Sequence, residues 1–151
     1  MSTPPRGAAA SPLSVLYVED FALGAALIHD TLGRRAPEIR LEIVSTVAQA
    51  IARLNRFEGG PAGAASQGAG PAPHYDVVLT DLDLPDGLGL EILSHVRARR
   101  LRLGVVVLTG SVEEDTLRAT LEAGADSCLT KRGDYLARLP GELHRARERV
   151  R

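Results

Sequence analysis

The sequence predicts an α/β fold: a doubly wound, five-stranded parallel sheet with helices on both faces. Three observations carry that prediction. Five short apolar runs alternate with five helical patterns in strict strand–helix order. The run 105–108, Val-Val-Val-Leu, is apolar throughout, as a strand covered on both faces must be. Acidic, hydroxyl and lysine residues follow the strands directly, and open parallel sheets gather their reactive groups at that edge.

Each element has its own justification. Residues 13–18, Leu-Ser-Val-Leu-Tyr-Val, make the first strand. Leu23, Leu27, Ile28 and Leu32 recur at helical spacing and mark the first helix. Residues 41–44 are a short second strand. Thr46 caps a second helix whose apolar stripe is Val47, Ala50, Ile51 and Leu54. Residues 76–80, Asp-Val-Val-Leu-Thr, form the buried third strand, and Leu88, Ile92, Leu93 and Val96 follow as a third helix. After the fourth strand at 105–108, Ser111 precedes Glu113, Glu114 and Asp115, acids favoured in the first turn of a helix. Leu117 and Leu121 should face the core, and Gly124 should end that helix. Residues 127–130 are the fifth strand. Tyr135, Leu139, Leu143, Ala146 and Val150 align on the last helix, which Pro140 bends or restarts.

Composition sets the bounds. The chain has 151 residues, 44% of them hydrophobic and 25% charged, the balance of one ordinary soluble domain. Eighteen Lys+Arg against 19 Asp+Glu exclude nucleic-acid binding driven by bulk charge. Aromatics at 3% leave little for base stacking. The single cysteine, Cys128, excludes an internal disulfide and a zinc site built on several thiolates. No apolar run approaches a membrane span, and no signal-peptide core opens the chain, so a cytoplasmic location is expected. Residues 1–12 read as a flexible tail. Residues 59–73, of which 13 are Gly, Ala or Pro, read as a long solvated loop inserted in the domain at 13–151.

The strand ends carry the chemistry. Glu19 and Asp20 follow the first strand, Asp81 and Asp83 the third, Thr109 and Ser111 the fourth, and Lys131 the fifth. Any one of these alone would be a cap, a turn former or a surface residue. Their joint placement, each group after a different strand, is not what capping produces. Carboxylates gathered without a counter-ion raise one another's pKa, and a hard divalent cation such as Mg2+ relieves the repulsion. Together with a lysine and a hydroxyl, the set suits transfer of a phosphoryl group onto a carboxylate.

At these residues the chain resembles the receiver domain of two-component response regulators. The likeness runs through Val15-Leu-Tyr-Val-Glu-Asp20, the segment from Asp76 to Glu91, Val105-Val-Val-Leu-Thr-Gly-Ser111 and Ala123-Gly-Ala-Asp-Ser-Cys-Leu-Thr-Lys131. It implies a flavodoxin-like sheet with strand order 2-1-3-4-5. It makes Asp81 the phospho-acceptor. It makes Asp20 a direct Mg2+ ligand, Glu19 a ligand through water, and Asp83 a ligand through its backbone carbonyl beside Asp81. Thr109 becomes the hydroxyl that senses the phosphoryl group and Lys131 its charge partner. Pro85 and Gly89 shape the loop after the acceptor. The partners implied are a histidine kinase or phosphotransfer protein upstream and a protein or output domain downstream. No direct contact with nucleic acid or membrane is implied, and homodimerisation is left open.

The sequence departs from that family at three places. Cys128 stands three before Lys131, where many receivers carry an aromatic, so the usual threonine–aromatic coupling does not carry over. Arg132 follows Lys131 in place of proline; a cis bond there would cost about 2.5–4 kcal/mol, so a trans bond is expected. Gly110 replaces the usual alanine. Cys128 itself reads as a small core residue rather than a redox sensor. Two other readings remain: a receiver-like interaction module that works without phosphorylation, and a phosphatase of the haloacid-dehalogenase type, suggested by Asp81-Leu-Asp83. Against the second, the motif lies mid-chain and no acidic pair follows the lysine. Arg138, Arg145, Arg147, Arg149 and Arg151 are expected opposite the apolar face of the last helix.

Overall fold

The computed structural model describes residues 12–56 and 74–150. Residues 1–11 of the tail, the whole inserted loop at 59–73 and Arg151 lie outside the described residues. The elements run β1 Leu13–Val18, α1 Ala22–Arg35, β2 Ile39–Val44, α2 Val47–Asn55, β3 Val77–Asp81, β4 Asp83–Leu84, β5 Gly87–Leu88, α3 Gly89–Ala98, β6 Gly104–Thr109, α4 Glu114–Glu122, β7 Ser127–Thr130 and α5 Tyr135–Arg149. Five strands form one sheet in the order β2-β1-β3-β6-β7, every pairing parallel. This is the predicted order, with one unpredicted addition: β4 and β5 form a two-residue antiparallel hairpin between β3 and α3.

Strand alternation builds the two layers. Leu16 and Val18 of β1 point into one core with Val78, Val105 and Val107, covered by Ala50 and Leu54 of α2 and by Ile92, Leu93 and Val96 of α3. Val15 and Tyr17 point into the other, with Leu79, Val106 and Leu108, covered by Ile28 and Leu32 of α1 and Leu139, Leu143 and Ala146 of α5. β6 is buried at all of its positions, as the unbroken apolar run requires.

Several local expectations are corrected. β2 begins at Ile39, two residues before the apolar run at 41–44, because the buried Ile39 and the exposed Arg40 already pair with Leu13 and Ser14 of β1. The buried face of α1 is Ala25, Ile28, Thr31 and Leu32, whereas Leu23 (73% exposed) and Leu27 face solvent. A stripe of leucines misleads there because the small residues Ala25 and Thr31 let the helix lie close to the sheet. In α4 only Thr120 is fully buried, and Leu121 is exposed. The Ser111 hydroxyl accepts from the Glu113 amide at 3.1 Å, and α4 starts at Glu114, so Glu113 stands just outside its first turn. Gly124, at φ +113°, does end it. α5 runs unbroken through Pro140. Arg147 is on its buried side, with Nη1 donating 2.8 Å to the Pro12 carbonyl.

Candidate functional site

The site is assembled at the carboxyl edge of β1, β3, β6 and β7. Beyond β1, the Glu19 amide donates to the Val44 carbonyl at 2.9 Å and prolongs the ladder by one residue. That turns the Glu19 side chain inward, where it is 3% exposed. A buried carboxylate needs donors, and this one has three. Its Oε1 accepts from the Tyr17 hydroxyl at 3.3 Å and from Lys131 Nζ at 3.1 Å, and its Oε2 accepts from the Phe21 amide at 3.2 Å.

Asp81 ends β3, and Lys131 reaches it from the end of β7, with Nζ 2.7 Å from Asp81 Oδ1. The lysine backbone is fixed as well: its amide donates to the Thr109 carbonyl at 2.8 Å. One ammonium therefore bridges the acids of two different strands. Burial pushes the Asp81 carboxyl above the ordinary carboxylate range against the pull of Lys131, and the charges of Glu19 and Asp83 add to the rise. Burial alone would lower Lys131, but its hydrogen bonds to Asp81 and Glu19 hold it above its ordinary value. Burial, then the neighbouring Glu19 charge, pushes the Tyr17 phenol far up, so it stays a donor.

Carboxylate oxygens of Glu19, Asp20 and Asp81 lie within 4.8 Å of one another. Three hard oxygen donors converging this closely fit a divalent cation. The exposed Asp83 carboxylate is not one of that group, although its charge acts on Asp81. Thr109, at the end of β6 and buried, uses its hydroxyl oxygen to accept the Ser111 amide at 3.0 Å.

The loop after Asp81 is shaped by residues singled out in the sequence and by one that was not. Pro85 occupies the two-residue turn of the β4–β5 hairpin, where its fixed φ suits a first corner position. Gly89 has a steric reason: a Cβ there would sit 2.3 Å from the Asp81 carbonyl oxygen, and its amide donates to the Leu82 carbonyl at 2.7 Å. Asp86 shares the turn with Pro85. Its carboxylate accepts from the Val47 amide at 2.8 Å and the Ala48 amide at 3.0 Å, at the start of α2. Sequence reading missed Asp86 because it passes for a turn former, and nothing local points to a helix 39 residues upstream. It also missed Tyr17, although its place two before Glu19 puts both side chains on one face of the strand. Cys128 is half-buried against the core, and burial pushes its thiol up, away from reactivity. The bond before Arg132 is trans.

The family of response regulator receiver domains matches residues 15–137. The cell cycle transcriptional regulator CtrA of Caulobacter vibrioides is 34% identical over 76 residues, 48% of this chain and 33% of that protein. The chain thus spans about a third of the length of this curated relative. The receiver domain of the Francisella response regulator 1452 superposes with a TM-score of 0.71 at 18% identity, covering 92% of this chain and 99% of that one. The Mn2+-bound form of response regulator Rcp1 superposes with a TM-score of 0.65 at 27% identity over 91% of each chain.

Proposed function

The chain belongs to the response regulator receiver family, and on that premise we propose that it takes a phosphoryl group onto Asp81 from a histidine kinase or phosphotransfer protein. Its product is a conformational state read by a downstream protein or output domain. The observation that carries this reading is the Lys131 ammonium, 2.7 Å from Asp81 and 3.1 Å from Glu19, at the meeting point of three carboxylates.

The roles follow from charge. A carboxylate oxygen of Asp81 forms a bond to phosphorus as the P–N bond to the donor imidazole breaks, its electron pair going to the ring nitrogen. Lys131 already sits against the acceptor, so it can pair with a phosphoryl oxygen without a large movement of backbone. Thr109 accepts the Ser111 amide and keeps its own hydroxyl proton, which can bond a phosphoryl oxygen. Tyr17 and the Phe21 amide hold Glu19 in place throughout. Glu19, Asp20 and Asp81, with the Asp83 carbonyl, would hold Mg2+, which supplies positive charge against the crowded carboxylate and phosphoryl oxygens. The 27% identical Mn2+-bound neighbour supports a divalent ion at such a site.

Intact-mass measurement after incubation with acetyl phosphate tests the proposal. The expected result is a gain of one phosphoryl group that requires both Mg2+ and Asp81, and that is lost in Asp81→Asn. No gain in the wild type would overturn it and leave an interaction module that works without phosphorylation.

A further inference from the structure

We infer that Asp86 is a positioning residue: it ties the tip of the loop that follows the acceptor to the first turn of α2, making the two one mechanical unit. This rests on the reading of the site given above, in which the Asp83 carbonyl at the base of that loop is a metal ligand.

The first amides of a helix lack partners within the helix, so each must find one elsewhere. In α2 the Gln49 amide is satisfied by the Thr46 hydroxyl at 3.0 Å, inside the same element. The Val47 and Ala48 amides go instead to the two oxygens of Asp86. Asp86 thus supplies two of three bonds from outside the helix, and its negative charge sits where the helix dipole favours it. These amides, Ala48 foremost, hold its carboxyl below the usual range.

The dependence runs in the other direction too. The β4–β5 hairpin has only two residue pairs, Asp83 with Leu88 and Leu84 with Gly87. A ribbon that short has little stability of its own and takes its position from its attachments. One attachment is at its return end, where Glu91 Oε2 accepts the Leu88 amide at 2.9 Å. Another is at its base, where the Gly89 amide donates to the Leu82 carbonyl and Leu84 packs against the core. The tip itself is held through Asp86. Releasing the tip loosens the strand that begins with Asp83, three residues away. A ligand that orders Asp83 must then also order the start of α2, and the coupling is reciprocal. α2 carries none of the residues that the sequence assigns to the site, so the tether extends the site's influence to an otherwise separate helix.

Asp86 is exposed, so the full-length chain can be tested with Asp86→Ala and Asp86→Asn. Two quantities are read: hydrogen exchange of the Val47 and Ala48 amides with and without Mg2+, and the Mg2+ dependence of phosphorylation by acetyl phosphate. In the wild type, Mg2+ should slow exchange at both amides. Asp86→Ala should speed that exchange about tenfold, as loss of a helix cap predicts, and abolish the Mg2+ effect on it. It should raise the half-saturating Mg2+ concentration severalfold, with a smaller effect on the rate at saturating Mg2+. Asp86→Asn, which keeps one acceptor oxygen, should fall between. A wild-type half-saturation in Asp86→Ala, or wild-type amides that ignore Mg2+ while phosphorylation proceeds, would overturn the inference alone. A wild type that neither responds to Mg2+ nor takes a phosphoryl group would overturn it together with the reading of the site.

Discussion

Replacing Asp81 with asparagine should raise the unfolding temperature of the metal-free protein while abolishing phosphorylation. At an effective dielectric of about 20, the Lys131 ammonium 2.7 Å from Asp81 contributes about 6 kcal/mol of attraction. Glu19 and Asp20, with oxygens no more than 4.8 Å away, each contribute at least about 3.5 kcal/mol of repulsion. The balance is about 1 kcal/mol against the Asp81 charge. Solvent around the exposed Asp20 trims its share, and the burial of Asp81 itself adds to the other side. Asparagine keeps the shape and removes the charge, while Lys131 retains Glu19 as a partner at 3.1 Å. For a chain of this size, 1 kcal/mol moves the midpoint by about 2–4 °C.

The same reasoning sets the pH dependence. The Asp81 carboxyl is raised above its ordinary 3.8, so its ionised form is disfavoured in the folded state. The wild type therefore loses stability as pH rises through the folded value. The gap between the two proteins should be full at pH 7 and should close as pH falls toward 3.8. Added Mg2+ should narrow it from the other side, because the variant has lost a ligand and gains less from binding. The assay is thermal unfolding in chelator and in Mg2+ over that pH range. A lower midpoint for Asp81→Asn in chelator at pH 7 would refute the reasoning, since the pairing with Lys131 would then outweigh the repulsion.

Two further substitutions have opposite signs. Tyr17→Phe keeps the ring but removes a donor from the buried Glu19 carboxylate, and should lower stability by about 1.5 kcal/mol, or about 3–6 °C; an unchanged midpoint would mean the 3.3 Å bond contributes nothing. Gly110→Ala places a methyl where no atom lies within 4 Å, at a residue outside the left-handed region, and should raise stability by about 0.4–1 kcal/mol. A fall in the unfolding midpoint would show that the loop after Thr109 needs glycine.

Much of the fold was legible because its signals are local. The all-apolar run inside β6 and the Thr46 cap depend on neighbours in sequence, and both stand where the sequence places them. Helix faces were less legible. Leu23, Leu27 and Leu121 fit an apolar stripe yet lie in solvent, while Ala25, Thr31 and Thr120 are buried. Periodicity weighs residues by hydrophobicity, but close packing against a sheet also selects for small side chains. Arg147 was misread for a related reason: an arginine can be buried when a carbonyl from another element, here that of Pro12, receives its guanidinium.

The order of residues is enough to say which of them end the strands, and hence which acids, hydroxyl and lysine share one edge, because alternation of strand and helix leaves parallel strands pointing the same way. Which of them touch is set by packing in three dimensions: Lys131 bridges Asp81 and Glu19, Tyr17 holds Glu19, and the carboxylate of Asp83 stays outside the group it adjoins in sequence. The same packing lets Asp86 cap a helix 39 residues upstream. A hydrogen bond is made by atoms about 3 Å apart, and separation along the chain says nothing about that distance until the sheet has closed.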